Sequence, residues 1–169
     1  MTRIAVIGNA GGGKTTLCAS LGRKLNLPVH TVDLVQWKPG WVAAEPSEVA
    51  AAQAAWLAGS GWIIDGFGPW ELIVERFGAA DTLIFVDLPL YVHYWWAAKR
   101  QIKSIFQPRP DLPPDCPMLP MTRRLLAVMW YVHTRLRPQI IGLLMTHRQD
   151  KQIIHLRSAE AIRRFLASM

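Results

Sequence analysis

Residues 3–16 read RIAVIGNAGGGKTT, a short apolar run that ends on a glycine and passes straight into a glycine-rich loop and a Lys-Thr-Thr triplet. Gly8, four intervening residues, then Gly13, Lys14 and Thr15 satisfy the Walker A phosphate-loop pattern. Glycines at 11, 12 and 13 let the main chain approach a phosphate without a Cβ clash. Amides of residues 9–15 can then surround the anion, and the dipole of the following helix adds to the attraction. The expected nucleotide-binding set is Gly8, Asn9, Ala10, Gly11, Gly12, Gly13, Lys14, Thr15 and Thr16. Lys14 should reach the β- and γ-phosphates, and the Thr15 hydroxyl should ligate Mg²⁺, so the implied cofactors are ATP and Mg²⁺.

Outward from this loop, extended and helical patterns alternate as in an α/β fold. Leu17, Leu21 and Leu25 recur at i, i+4 and i+8 and predict one buried helix face directly after the loop. Further strands are expected at 27–31, 62–65, 82–87 and 152–156. Helices are expected from a Ser47 cap to about residue 59, over 70–77, 91–106 and 122–145, and from a Ser158 cap to the C-terminus. Pro138 should bend or split the helix over 122–145. Six prolines between Pro108 and Pro120 forbid regular structure, so residues 107–121 read as a mobile loop placed like a lid. The whole chain, 1–169, suits one domain, with an acceptor region at about 31–60.

Composition narrows the function classes. No stretch reaches the roughly 18 uninterrupted apolar residues that would span a bilayer, which argues against a membrane protein. Cys18 and Cys116 stand far apart, and the five histidines lack HxxxH or HExxH spacing, so neither a disulfide framework nor a transition-metal site is suggested and a reducing cytoplasm fits. Net charge is +7, but residues 1–90 hold six Lys or Arg against eight Asp or Glu, whereas residues 91–169 hold thirteen against four. Such a basic half suits polyphosphate or nucleic acid as well as a solvated face of arginines. Nothing in the sequence sets the oligomeric state.

Three further segments carry chemistry. WIIDG, 62–66, is an apolar strand ending in Asp65 at the sheet's carboxyl edge, where a carboxylate can hold Mg²⁺; Asp87, ending TLIFVD, is its rival. HTVDLVQWKPGW, 30–41, offers Asp33 to orient or deprotonate an acceptor hydroxyl, and Trp37 and Trp41 to stack on a planar acceptor. The competing reading makes Asp33 a turn cap and the tryptophans packing. Around the proline-rich loop stand Lys99, Arg100, Lys103, Arg109, Arg123 and Arg124, of which Arg100, Arg109 and Arg123 are the expected contacts to the migrating phosphoryl group. The aromatic run Tyr91, Tyr94, Trp95 and Trp96 reads as packing.

GNAGGGKTT, DLVQWKPGW, WIIDG, ADTLIFVDLP, RPDLPPDCP, RLRP and HLRS together cover nearly the whole chain. In these pieces the sequence resembles the adenylate-kinase-related P-loop proteins often labelled DNA topology modulation proteins. The resemblance implies a five-stranded parallel sheet of order 2-3-1-4-5 flanked by helices, in the nucleoside-monophosphate-kinase arrangement with a lid. It also implies that Arg157 and Ser158 lie near the adenine and that Arg76 faces the acceptor. The chain departs from the pattern where comparable members carry Arg at the position of Trp96 and an acidic residue at that of Met118, and its DGFGPW, 65–70, lacks the acceptor arginine of adenylate kinases proper.

Two functions follow as expectations. One is an ATP-dependent phosphotransferase acting on a small acceptor, a nucleoside monophosphate or a hydroxyl compound. The other is a nucleotide-dependent regulator or nucleic-acid binder without efficient kinase activity. The clustering of basic residues around the proline-rich loop, rather than along one helix face, favours the first.

Overall fold

The apolar runs assemble into a parallel sheet because each is β-branched and lies between helix-forming stretches that can cover it. The computed structural model describes residues 1–106 and 112–169, the side chains of Ile105 and Phe106 excepted. Its strands are β1 (Arg3–Gly8), β2 (Val29–Thr31), β3 (Trp62–Asp65), β4 (Thr82–Val86) and β5 (Gln152–Leu156). Their spatial order is 2-3-1-4-5 with all pairs parallel, as the resemblance implies.

Period-two alternation divides the core between the faces of the sheet. Ala5, Ile7, Ile64, Leu83 and Phe85 point one way, towards α4 (Trp70–Ala79) and α7 (Arg137–Thr146), where Ile73, Phe77, Ile140 and Leu144 are buried. Ile4, Val6, Ile63, Ile84 and Val86 point the other way, towards α1 (Lys14–Leu25) and α8 (Ala159–Ala167). The predicted leucine face of α1 is real: Leu17 and Leu21 are buried and Leu25 packs at the margin of the same cluster. Ser158 caps α8 as expected, its Oγ accepting from the Ala161 amide at 3.0 Å.

Several boundaries differ from the sequence reading, each for a local reason. The second strand is shorter than 27–31, because Leu27 is used to close the α1 C-terminus: its amide donates to the Gly22 carbonyl, with Asn26 left-handed at φ 54°. Ser47 does not cap α3 (Pro46–Leu57); Pro46 opens that helix, where its fixed φ and missing amide cost nothing, and Glu45 precedes it without a side-chain cap. The stretch after β2 is not a simple loop. It forms α2 (Val32–Gln36), then a ribbon pairing Trp37–Lys38 with Val42–Ala43 around a turn where Gly40 and Trp41 both have positive φ.

The long helix over 122–145 is split as Pro138 requires. α6 (Thr122–Tyr131) passes through a π turn, Val132–Leu136, into α7, so the wide turn lies across residue 134, whose carbonyl the proline ring would otherwise meet. α5 (Leu90–Phe106) precedes the proline-rich segment and lies beside α6. Arg109 and the first part of the expected lid, 107–111, fall outside the described residues. No helix among the described residues is long and apolar enough to cross a membrane.

Candidate active site

The phosphate loop is shaped by contacts that only glycine permits. Gly8 has φ 154°, and a Cβ there would lie 2.3 Å from the Val86 carbonyl of the neighbouring strand. Gly11, at φ 70°, is pressed against α5, where a Cβ would meet the His93 carbonyl at 2.5 Å. One side of the loop is therefore packed against α5.

Side chains fix the same loop from two more directions. His93, buried, puts Nδ1 3.0 Å from the Ala10 carbonyl; since a carbonyl only accepts, Nδ1 carries the proton. Burial pushes the His93 imidazole down to about 4, so the ring is neutral at pH 7. Asn9 donates through Nδ2 to the Met129 carbonyl at 2.8 Å and accepts the Ala10 amide on Oδ1 at 2.8 Å, tying the loop to the end of α6. Lys14 donates to the Asn9 carbonyl at 3.1 Å.

Thr15 and Asp65 meet at the carboxyl edge of β1 and β3, where Thr15 Oγ1 donates to Asp65 Oδ2 at 3.2 Å. The other oxygen, Oδ1, is buried with no hydrogen-bond partner. Burial raises the Asp65 carboxyl above the ordinary range, Lys14 pulls it back, and Asp33 pushes it up again. A buried carboxylate oxygen without a donor beside a phosphate-loop hydroxyl fits a divalent cation. Asp87, the rival, is otherwise engaged. Arg137 donates to both of its oxygens at 2.6 and 2.9 Å and His155 approaches at 2.8 Å; burial alone would raise Asp87, but these partners hold it below the usual carboxylate range. Among the described residues no group of three or more His, Cys, Asp or Glu could hold a metal by itself.

Next to this edge opens a cavity of about 390 Å³. Lys14, Thr15, Asp65, Asp33 and Arg100 line it, as do Trp37 and Trp41, so donor-side and acceptor-side expectations converge on one space. Trp37 and Trp41 stand edge to face, with ring centroids 5.6 Å apart and planes at 74°. The far wall comes from the end of the proline-rich segment and from α6, through Leu112, Met118, Met121, Leu125 and Val128. Among the described residues, hydrogen bonds join that segment to the ribbon. The Gly40 amide donates to the Asp115 carbonyl at 3.0 Å, Trp41 Nε1 to the Pro117 carbonyl at 2.9 Å, and Cys116 Sγ to the Lys38 carbonyl at 3.6 Å.

Other expectations are corrected. Arg76 does not face the acceptor: it is completely buried, donates to the Gly66 and Phe67 carbonyls at 2.7 and 3.3 Å, and lies behind the loop that lines the cavity. Burial lowers its guanidinium to about 10, with Asp65 acting in the opposite direction. Arg123 is exposed and outside the cavity wall; its neighbour Arg124, also exposed, lines the cavity with its guanidinium 5.7 Å from the centroid of a Trp37 ring. Arg157, expected beside the adenine rather than the acceptor, is exposed beyond the end of β5 and does not line this cavity. Gly11 and Gly12 lie against α5, and Thr16 follows Thr15 in the first turn of α1.

Sequence reasoning missed His93, Asn9's link to α6, and the α6 wall. The last had a visible signal, because Met121, Leu125, Val128 and Val132 follow i, i+4, i+7 and i+11. The departures at Trp96 and Met118 both fall at the site. A Cβ on Gly13 would lie 3.1 Å from the Trp96 ring, and Met118 is buried in the cavity wall.

No protein-family model matches the sequence, and no curated protein is similar to it at a significant level. Solved structures match in shape. The chain is similar to the shikimate kinase of Acinetobacter baumannii in complex with shikimate (TM-score 0.60, 11% identity, covering 99% of this chain and 90% of that one). It is also similar to a sugar kinase from Janibacter sp. (0.57, 16%, 99% and 94%) and to a gluconokinase from Sinorhizobium meliloti (0.55, 14%, 98% and 90%). At such identities the likeness speaks for architecture: the fold is the α/β fold of the P-loop kinases.

Proposed function

We propose that this chain is an ATP-dependent phosphotransferase that moves the γ-phosphoryl group to a small acceptor. The observation that carries the reading is the shared cavity: Lys14 and Thr15 from the phosphate loop, Asp65 from the sheet edge and Asp33 from α2 all line it. Donor and acceptor chemistry therefore share one cleft, which is what phosphoryl transfer requires and simple nucleotide binding does not. The kinase fold of the neighbours supports the same reading.

In this assignment the loop amides and Lys14 bind the triphosphate, Lys14 exchanging its contact with the Asn9 carbonyl for phosphate oxygens. Thr15 and Asp65 would hold Mg²⁺, which supplies charge neutralisation at the β- and γ-phosphates. Asp33 accepts the proton of the acceptor, and Arg100 and Arg124 balance charge on the migrating group. Trp37 and Trp41 position the acceptor, and residues 107–121 act as the lid that excludes water. The test is incubation of the purified chain with ATP and Mg²⁺ and a broad set of nucleotides, sugars and hydroxy acids, following ADP and phosphate esters. Transfer to any acceptor above the rate of ATP hydrolysis is expected; binding of ATP with no transfer to any of them would remove the assignment.

Nucleic-acid binding, suggested by the basic second half and by the label of the resembled family, has less support. Arg137 is paired with Asp87, and Arg100 and Arg124 line the cavity, so part of the basic surplus lies at the cleft rather than along one surface track for a phosphate backbone. Salt-dependent DNA or RNA affinity measured at low ionic strength would restore it.

A further inference from the structure

The cavity is chemically lopsided, and the imbalance says what kind of acceptor it holds. Its polar groups gather at the phosphate-loop end, where Asn9, Lys14, Thr15, Asp33 and Asp65 stand. The rest of the wall is mostly carbon, through Trp37, Trp41, Met118 and Met121, with Gln36 and Tyr131 as its neutral polar members. Among the described residues the other charged side chains in the wall are Arg100 and Arg124, and the guanidinium of Arg124 lies against a Trp37 ring. Arg76, the basic residue of the neighbouring helix, is sealed behind the Gly66 and Phe67 carbonyls and cannot offer a second anion site.

We infer that the acceptor is an alcohol carried on a flat apolar body, an aromatic or alicyclic alcohol rather than a sugar, a polyol or a nucleoside monophosphate; this rests on the phosphotransferase reading of the same cavity. A polyol would bring several hydroxyl groups to a wall that is mostly carbon, and those that miss Gln36, Tyr131 and the arginines would be stripped of water without compensation. A monophosphate would bring a dianion to a cavity whose two arginines are already needed by the migrating phosphoryl group. An apolar ring meets neither penalty. The edge-to-face pair of Trp37 and Trp41, at 74°, forms a corner that presents one ring face and one ring edge, the two surfaces an aromatic guest prefers. With its body in that corner, the hydroxyl points to the polar end.

The chemistry then balances. The alcohol oxygen forms a bond to the γ-phosphorus while the bond between that phosphorus and the β–γ bridging oxygen breaks. Its electron pair leaves with ADP. The hydroxyl proton passes to the Asp33 carboxylate and from there to solvent, and the product is a phosphate monoester.

The test uses the full chain with Mg²⁺ and ATP against three sets of acceptors: 2-phenylethanol, indole-3-ethanol and cyclohexylmethanol; gluconate, shikimate and glycerol; AMP and CMP. Phosphate monoester and ADP are followed by ³¹P NMR. At least one apolar alcohol is expected to exceed every polyol and nucleotide by about tenfold or more in kcat/KM. Trp37→Ala and the milder Met121→Gln should each lower that value by about tenfold while the KM for ATP stays within about twofold. A polyol or a monophosphate as the best substrate would overturn the substrate class and leave the phosphotransferase standing. If nothing is phosphorylated, titration of ¹³C-methyl methionine signals in the presence of Mg²⁺ and a non-hydrolysable ATP analogue decides further. Shifts of Met118 and Met121 with apolar alcohols alone would uphold the ligand class while overturning the transfer, and no shifts would overturn the ligand class as well.

Discussion

The two sides of the cavity are built in opposite ways. The donor side is one contiguous stretch, residues 8–15, whose shape is set by main-chain contacts: Gly8 against Val86, Gly11 against His93, the Ala10 carbonyl against the His93 ring. The acceptor side is assembled from side chains of α2, the ribbon, the end of the proline-rich segment and α6, residues nearly a hundred positions apart. Main-chain geometry tolerates almost no change at its glycines but is indifferent to most side chains around it. A wall of side chains can change its chemistry without moving the fold. In the proposed phosphotransferase such a division would let the acceptor wall vary while the phosphate loop stays the same.

The sharpest way to break this comparison is to remove one charged group from each side. Lys14→Ala should lower phosphoryl transfer by about 10³-fold, because a preorganised charge aimed at the transferring group is lost, while the melting temperature stays unchanged. Lys14 is only partly buried and its hydrogen bond is to the Asn9 carbonyl, while its charge acts on the Asp65 carboxyl, so little of the fold depends on it. Asp33→Asn should lower transfer by about 10²-fold, the usual worth of a positioned general base, with ATP affinity unaltered when measured by calorimetry. If Asp33→Asn weakened ATP binding as much as transfer, the two sides would not be separable.

A pH titration tests how firmly the donor side is held. The His93 imidazole is depressed from 6.5 to about 4, first by burial and then by Lys14 and His133, with the Ala10 carbonyl and Asp87 acting the other way. The unfolded chain therefore takes up a proton near pH 6.5 that the folded chain refuses until about pH 4, so stability is complete above 6.5 and falls as the pH drops through that window. The loss should be about 2 kcal/mol after allowance for solvent screening. His30, lowered by its burial, slopes in the same direction. The measurement is thus a difference: urea melts of the parent and of His93→Gln at pH 7 and pH 4.5, in which the variant, able to donate to Ala10 but not to titrate, should lose less stability.

The same contrast explains what could be read from the chain. RIAVIGNAGGGKTT announces its strand, loop and helix because every constraint is local: alternation for β1, glycines for the turn, leucines four apart for α1. Asp65 could be placed at the sheet edge for the same reason, and the order 2-3-1-4-5 came with the resemblance. Arg76 and Arg123 were misplaced because their roles depend on which face of a helix meets the cavity, and that is decided by packing with elements far away in sequence. Arg76 is drawn under the loop by the carbonyls of Gly66 and Phe67, and one step of helical phase exchanges Arg123 for Arg124. Asn9 reads as a loop residue, and nothing local announces that its side chain would find the Met129 carbonyl 120 positions later.

The smallest effect probes the seam on the acceptor side. Trp41 holds a left-handed φ of 61°, uncommon for a bulky residue, and its indole N–H spans from the ribbon to the Pro117 carbonyl. A strained residue of this kind persists when its surroundings compensate it, and here the compensation is that hydrogen bond together with the edge-to-face contact to Trp37. Trp41→Phe keeps a ring against Trp37 and deletes the donor. It should cost about 1 kcal/mol at the seam, the net worth of one such bond. Because the neighbouring Gly40 amide is bonded to Asp115 across the same seam, its hydrogen exchange should quicken by about fivefold, while amides of the phosphate loop keep their protection. Equal quickening in both places would mean that acceptor and donor sides open together, and the independence argued from their construction would be lost.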